Sequence, residues 1–286
     1  MEFQNFKVEN EQTAYILGYL WADGSIFKDK NGIAYIRLRI IRADANEIKP
    51  LFDKFSFLKK WASYDRHHVC ETRNHSPSTE FALYNANLGN FLIDELNYKN
   101  KSFDSPEKVL NFIPERFQKF WWRGYFDGDG YIGTKDMTIT STYEQDWSLT
   151  EDLFKNLEVN YIIRRKICKK HGHKSSTIRV SYLEGMVKFA TYLYGDYTVD
   201  KIGLRRKADK LIIIKEKYEK VILTQHSKYK GVTYNIANKK WRANYLGVYL
   251  GSYKTEQEAL FARTSAEKQI VKPMYIKEKK NLSILQ

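Results

Sequence analysis

The sequence predicts a mixed α/β (α+β) chain built from two related halves and a smaller C-terminal module. Three observations carry that expectation. Two segments resemble one another, YILGYLWADGSIF at 15–27 and WWRGYFDGDGYIG at 121–133. The stretches that follow them repeat one order of apolar patterns. From Ser227 onward the texture changes to short strands rich in Tyr, Trp and Val. The 286 residues carry 48 Lys and Arg against 34 Asp and Glu, a formal charge of +14. With 43% hydrophobic and 15% aromatic residues the chain can bury real cores, which excludes a disordered basic tail. The surplus of positive charge points to a polyanionic partner.

Each half reads α-β-β-α-β-β-α. The first helix covers Thr13 to Trp21, and its counterpart lies in the second motif. A β-patterned stretch follows, Ile33 to Ile41 in one half and Met137 to Thr142 in the other. Helical stretches come next (ANEIKPLFDKF; DWSLTEDLFKNL), then a basic hairpin and a strand (FALYN; TIRVSY). An amphipathic helix closes each half (LGNFLIDELNY; EGMVKFATYLYG). Lys101 to Pro114, with its Ser, Asp and prolines, reads as a connector. The expected division is a first repeat over 1–105, a second over 106–215 and a helical linker over 216–226. A three-stranded sheet-and-helix domain over 227–272 and a basic tail over 273–286 complete it. The helix of that domain should open at Thr255 with Glu258 as its capping-box partner.

The paired motifs carry the chemistry. Gly18 and Ala22 stand four residues apart, as do Gly124 and Gly128, so each helix offers a shallow groove along one face. Two such faces can bring their backbones unusually close. That packing would set Asp23 and Asp129, which end the grooves, side by side. Like charges so close repel unless a cation bridges them, and hard oxygen ligands select Mg²⁺. Carboxylates on Mg²⁺ suit in-line hydrolysis of a phosphodiester.

The strands supply a surface. Alternation places Arg37 and Arg39 on one face of their strand, and Thr138, Thr140 and Thr142 on one face of theirs. Arg164, Lys166 and Arg179 add cations to the second half, and such a face suits the major groove of DNA. A zinc reading of His67, His68, Cys70 and His75, or of Cys168, His171 and His173, matches no standard structural zinc spacing and is set aside. Two cysteines cannot staple a secreted scaffold. The opening MEFQNFKVEN has no apolar signal region, and no run is long enough to span a bilayer. An intracellular, cytoplasmic protein without membrane contact is expected.

The motifs at 15–27 and 121–133 resemble the LAGLIDADG homing endonucleases in their single-chain, two-repeat form. The resemblance implies a site-specific double-strand DNA endonuclease, acting as a monomer on a long asymmetric target. It implies Asp23 and Asp129 as ligands of the catalytic Mg²⁺, and Lys101 and Lys207 as lysines near the scissile phosphates. The sequence departs from the pattern at Trp21 and Asp127, and Arg123 is an odd occupant of a helix interface. Further on, KYKGV, KKWRA, LGSY and the following helix resemble an AP2/ERF-type DNA-binding domain. By matching position Lys230, Tyr234, Trp241 and Arg242 would face DNA, and Ala259, Leu260 and Phe261 would lie on or near the buried helix face. Such enzymes belong to mobile elements. No intein splice signature frames this chain, which starts at Met1 and closes on LSILQ, so an intron-borne or free-standing gene is expected. The rival readings are an intron RNA maturase on the same scaffold and a non-catalytic DNA-binding regulator.

Overall fold

The computed structural model describes residues 6–53, 62–66, 69–70, 73–74, 77–167, 172, 174–224, 227, 229–235 and 238–282. The chain divides into two compact units, Met1–Lys215 and Glu216–Gln286.

The larger unit holds both halves. The first begins with α1 (Glu11–Asp23), β1 (Gly24–Lys28), β2 (Ala34–Ile41) and α2 (Arg42–Asp53). It continues through β3 (Ala62–Arg66), a small pair β4 (Val69–Cys70) and β5 (Arg73–Asn74), β6 (Ser78–Leu83) and α3 (Ala86–Asp94). After α4 (Glu107–Phe112) the second half opens with α5 (Glu115–Asp129), β7 (Gly130–Ile132), β8 (Met137–Ser141) and α6 (Ser148–Asn156). It closes with β9 (Ile162–Ile167), β10 (Lys174–Val180) and α7 (Leu183–Tyr194), before α8 (Tyr197–Asp200) and α9 (Arg205–Thr224). The predicted order is observed, with the β4–β5 pair as an addition to the first half.

Each half forms a four-stranded antiparallel sheet, ordered β1-β2-β6-β3 and β7-β8-β10-β9. Their registers correspond, since Leu38 pairs with Gly24 and Ile139 with Gly130. Ile36, Leu38 and Ile40 enter the core while Arg37 and Arg39 take the opposite face, as the alternation predicts. α1 is capped by Asn10, whose side chain accepts from the Thr13 amide at 2.8 Å. It is buried continuously from Thr13 to Trp21, which is why its sequence shows no polar stripe.

The smaller unit begins within α9 and holds a sheet of β11 (Val232–Asn235), β12 (Lys240–Tyr245) and β13 (Val248–Tyr253), followed by α10 (Glu256–Leu282). Val232, Ala243 and Ala259 form its core, with Tyr229, Trp241, Leu250, Tyr253 and Leu260 packed around them. The expected capping box forms: the Glu258 amide donates to Thr255 Oγ1 at 3.2 Å, and Glu258 Oε2 accepts from the Thr255 amide at 3.2 Å. Phe261 departs from expectation, being 74% exposed, because the neighbouring positions Ala259 and Leu260 already fill the inward stripe. Among the described residues, no helix is long and apolar enough to cross a membrane.

Candidate active site and nucleic-acid interface

α1 and α5 pack backbone to backbone. A Cβ built on Gly18 would lie 2.0 Å from the Trp121 carbonyl oxygen, and one on Gly124 would lie 2.0 Å from that of Tyr15. No side chain fits either place. Further along, a Cβ on Gly128 would sit 2.2 Å from Ala22 Cβ and 3.2 Å from Asp23 Oδ2. The small residues thus draw together the C-terminal ends of the two helices. Asp23 and Asp129 are their last residues, and each is followed at once by the first strand of a sheet.

A helix C-terminus is the negative end of its dipole, so a carboxylate there is unfavourable. Two lysines offset this. Lys101 Nζ donates to the carbonyls of Leu20, Trp21 and Ala22 at 3.2, 2.6 and 2.6 Å. Lys207 Nζ donates to those of Phe126, Asp127 and Gly130 at 2.6, 2.8 and 2.6 Å. Both ammonium groups close helix ends, and both act on the acidic pair through their charge. Within Arg205-Arg206-Lys207 it is Lys207, 3% exposed, that takes this place.

Burial pushes the Asp129 carboxyl up to about 6, and Asp23 pushes in the same direction against the pull of Lys101 and Lys207. Burial also raises Asp23, again against both lysines. Burial lowers Lys101 and Lys207 to about 8. Even with two ammonium groups present the carboxylates stay raised, because the loss of hydration outweighs the pull of the lysines. Two hard oxygen donors in that condition fit a divalent cation of the Mg²⁺, Ca²⁺ or Mn²⁺ kind, completed by water and phosphate oxygens. Among the described residues no group of three or more His, Cys, Asp or Glu gathers into a closed cage. The zinc candidates His67, His68, His75, Cys168, His171 and His173, and the side chain of Cys70, lie outside the described residues.

The odd motif positions have structural work. Asp127, 1% exposed, accepts from Tyr15 Oη at 2.8 Å, Tyr194 Oη at 2.6 Å and the Leu204 amide at 2.9 Å. It ties α1, α7 and the start of α9 to α5. Arg123, wholly buried, donates from Nε to the Leu193 carbonyl, and from Nη1 to Asp200 Oδ1 at 2.7 Å and the Ile202 carbonyl at 2.6 Å. It serves the α7 and α8 side of its helix, a role that no local signal in the sequence announces.

The strand residues assemble on sheet faces. Arg37 and Arg39 share one face around Glu80, which is 3% exposed and 3.1 Å from Arg39 Nη2. Arg37 also lies over the Phe27 ring at 4.6 Å. In the second sheet Thr138 pairs with Arg179, Thr140 with Thr177, Thr177 with Arg164, and Ser175 with Lys166. Thr138, Thr140, Arg164, Lys166 and Arg179 therefore share one face, with Arg179 tied to Asp136 at 2.8 Å. Sequence reasoning missed Glu80 and Asp136, whose partners are fixed only by strand register.

In the smaller unit Lys230 and Arg242 are exposed. Tyr234 and Trp241 differ from expectation. They pair with each other two residues on from the Val232–Ala243 pair, so they share the face that α10 covers. Their rings stand 5.1 Å apart, and Trp241 packs on the small core. Arg242, Lys240 and Thr233 take the open face instead.

The α5-to-α7 half matches the LAGLIDADG-like domain family over residues 116–194. That stretch is similar to a LAGLIDADG-like domain, and the chain's mixture of helices and antiparallel sheets has the fold of the homing endonucleases. One similar solved structure is from work on mesophilic variants of the homing endonuclease I-DmoI. It is 17% identical with a TM-score of 0.50, covering 71% of this chain and 97% of that one. A structure of I-DmoI in complex with DNA and Ca is 17% identical with a TM-score of 0.46, covering 64% and 89%. The uncharacterized protein MJ0398 of Methanocaldococcus jannaschii is 23% identical over 167 residues, 58% of this chain. The matched stretch spans 55%, about half, of that relative's length.

Proposed function

We propose that the chain is a Mg²⁺-dependent endonuclease that cuts both strands of double-stranded DNA at one long, asymmetric site, acting as a monomer. One observation carries the reading. Asp23 and Asp129 stand at the converging ends of a glycine-packed helix pair, and each opens a sheet whose outer face bears Arg, Lys or Thr. Bound there, the cation would polarise a phosphate oxygen and activate water. Asp23 and Asp129 would hold it, while Lys101 and Lys207 fix the helix ends and supply positive charge. In the hydrolysis a water oxygen bonds to phosphorus and the P–O3′ bond breaks. The leaving oxygen takes a proton, and the proton lost by water passes to solvent. Arg37, Arg39, Arg164, Lys166 and Arg179 neutralise phosphates or pair with guanine, and Thr138 and Thr140 offer hydroxyls to base edges.

The smaller unit serves, on this reading, as a second DNA-binding module of the AP2/ERF kind, working through Lys230 and Arg242. Tethering raises its effective concentration at the site and so adds affinity without chemistry. The test is a library of plasmids with randomised inserts, incubated with the protein and Mg²⁺, Ca²⁺ or EDTA. Linearisation at a recurrent sequence, in Mg²⁺ only, is the expected result. Specific retention of duplex without cutting in any cation would instead favour a regulator, and retention of structured RNA alone a maturase.

A further inference from the structure

The correspondence between the halves breaks at Asp44, beside the acidic pair. Asp44, at the start of α2 and 4% exposed, is clasped by Arg206, with Nε at 2.8 Å from Oδ1 and Nη2 at 2.6 Å from Oδ2. Glu47 Oε2 accepts from the Arg205 amide at 2.7 Å and fixes the adjoining backbone. Asp44 and Arg206 line a cleft of about 240 Å³ together with Tyr19, Asp23, Arg39 and Gly128. The corresponding registers of Leu38 and Ile139 align Asp44 with Gln145, and the two motifs align Tyr19 with Tyr125. In the second half Tyr125 Oη and Gln145 meet at 3.3–3.4 Å, a buried neutral contact. Both halves thus keep the tyrosine, but one has a carboxylate clasped by Arg206 where the other has the Gln145 amide, and the match of Lys101 with Lys207 sets Asn100 opposite Arg206.

We propose that Arg206, positioned by Asp44, contacts the phosphate hydrolysed in the Asp23 half alone, so that the two strands are cut by unequal machinery. This rests on the endonuclease reading above. The pair is neutral as a whole, and its effect comes from donor geometry. A guanidinium has five N–H donors, and the clasp uses two, which fixes the plane of the group. Its side chain is 48% exposed, which leaves room for a phosphate at the cleft. Donors fixed there strengthen their bonds as charge builds on the phosphoryl oxygens, without reorganising.

The experiment uses supercoiled plasmid carrying a sequence that the wild-type protein linearises, with each strand end-labelled. In Arg206→Gln, cleavage of one strand should fall on the order of 10²-fold while the other stays within about threefold. Nicked circles should accumulate, and affinity measured in Ca²⁺ should change little. A second variant, Asp44→Gln with Arg206→Asn, places the residues of the other half at both positions and should behave alike, with folding checked by thermal melting. Equal slowing of both strands, or no slowing, overturns the proposal, as does loss of folding in both variants. A wild-type protein that linearises no plasmid sinks the endonuclease reading itself and this inference with it.

Discussion

Replacing Gly18 with Ala tests whether backbone contact between α1 and α5 builds the acidic site. The new Cβ would lie 2.0 Å from the Trp121 carbonyl oxygen and 2.9 Å from the Tyr125 nitrogen. Carbon and oxygen settle at roughly 3.3 Å or more, so the helices must part by somewhat over ~1 Å. Both obstructing atoms are main chain and cannot rotate aside. Overpacking of this kind costs about 1–3 kcal/mol, and rigid neighbours put the substitution at the upper end. The better helix propensity of Ala offsets about 1 kcal/mol, which leaves a net loss near 2. In a unit of this size that lowers Tm by roughly 4–8 °C. Parting the helices also moves Asp23 away from Asp129, and a displacement of ~1 Å can reduce turnover by about 10²-fold. Calorimetry in EDTA reads the first effect and plasmid linearisation in Mg²⁺ the second. Gly185→Ala in α7 is the control, because its Cβ would meet the side-chain methyls Val180 Cγ1 at 3.2 Å and Val159 Cγ1 at 3.3 Å, which can give way. It should melt at or slightly above wild type. A Gly18→Ala protein as stable and active as wild type, or a Gly185→Ala protein equally damaged, would refute the reasoning.

Four further outcomes follow from the same geometry. Asp23→Asn and Asp129→Asn should each abolish cutting while leaving specific DNA retention within about threefold, read by gel shift in Ca²⁺; retained double-strand cleavage would remove the metal assignment. Asp129 is raised from 3.8 to about 6, so the folded chain holds this proton more tightly than the unfolded chain. Its contribution to metal-free stability is therefore present at acid pH and lost as pH rises from about 4 to 6, whereas cation affinity should fall about tenfold per pH unit below 6 and level off above it. Denaturation and calorimetric titration at several pH values check both signs. Arg123→Met leaves the partly buried Asp200 without its cation and the Leu193 and Ile202 carbonyls without their donor, and should cost about 3 kcal/mol, seen as a lower denaturant midpoint with an unchanged slope. DNA affinity should fall steeply with salt, as release of on the order of ten counterions requires, and a flat response would point to another partner.

The repeat, the small residues of the helix pair and the polar strand faces were legible because each is a spacing along the chain. Gly18 with Ala22, and Arg37 with Arg39, declare their shared faces through helical and strand periods alone. Arg123, Asp127 and Asp44 were not legible in role. Their partners lie 67 to 162 residues away, and nothing local says which distant group will arrive. Tyr234 and Trp241 form a different case. Strand parity already set Tyr234 with Val232 and Trp241 with Ala243, which is the core-facing side. Aromatic side chains among basic neighbours drew attention to DNA, and the alternation was the better guide.

Lys101 and Lys207 show why position and role separate. Their matching places at the ends of the two halves could be read from sequence, but their partners are main-chain carbonyls, which every sequence possesses and none advertises. The electrostatics explain why lysine suits these places. Two carboxylates and two helix C-termini bring negative charge to one point, and the helices cannot separate to relieve it. Tyr98 Oη donates to the Leu17 carbonyl at 2.8 Å, and Trp21 meets Trp121 edge-on at 5.9 Å, so the interface is closed by packing as well as by glycine contact. Each ammonium neutralises one helix end, and burial still holds both carboxyls above their ordinary range against the pull of the lysines. A site neutralised fully by protein cations would have no reason to take up a metal. One left short of positive charge, in a frame that cannot open, favours a divalent cation and the phosphate that comes with it.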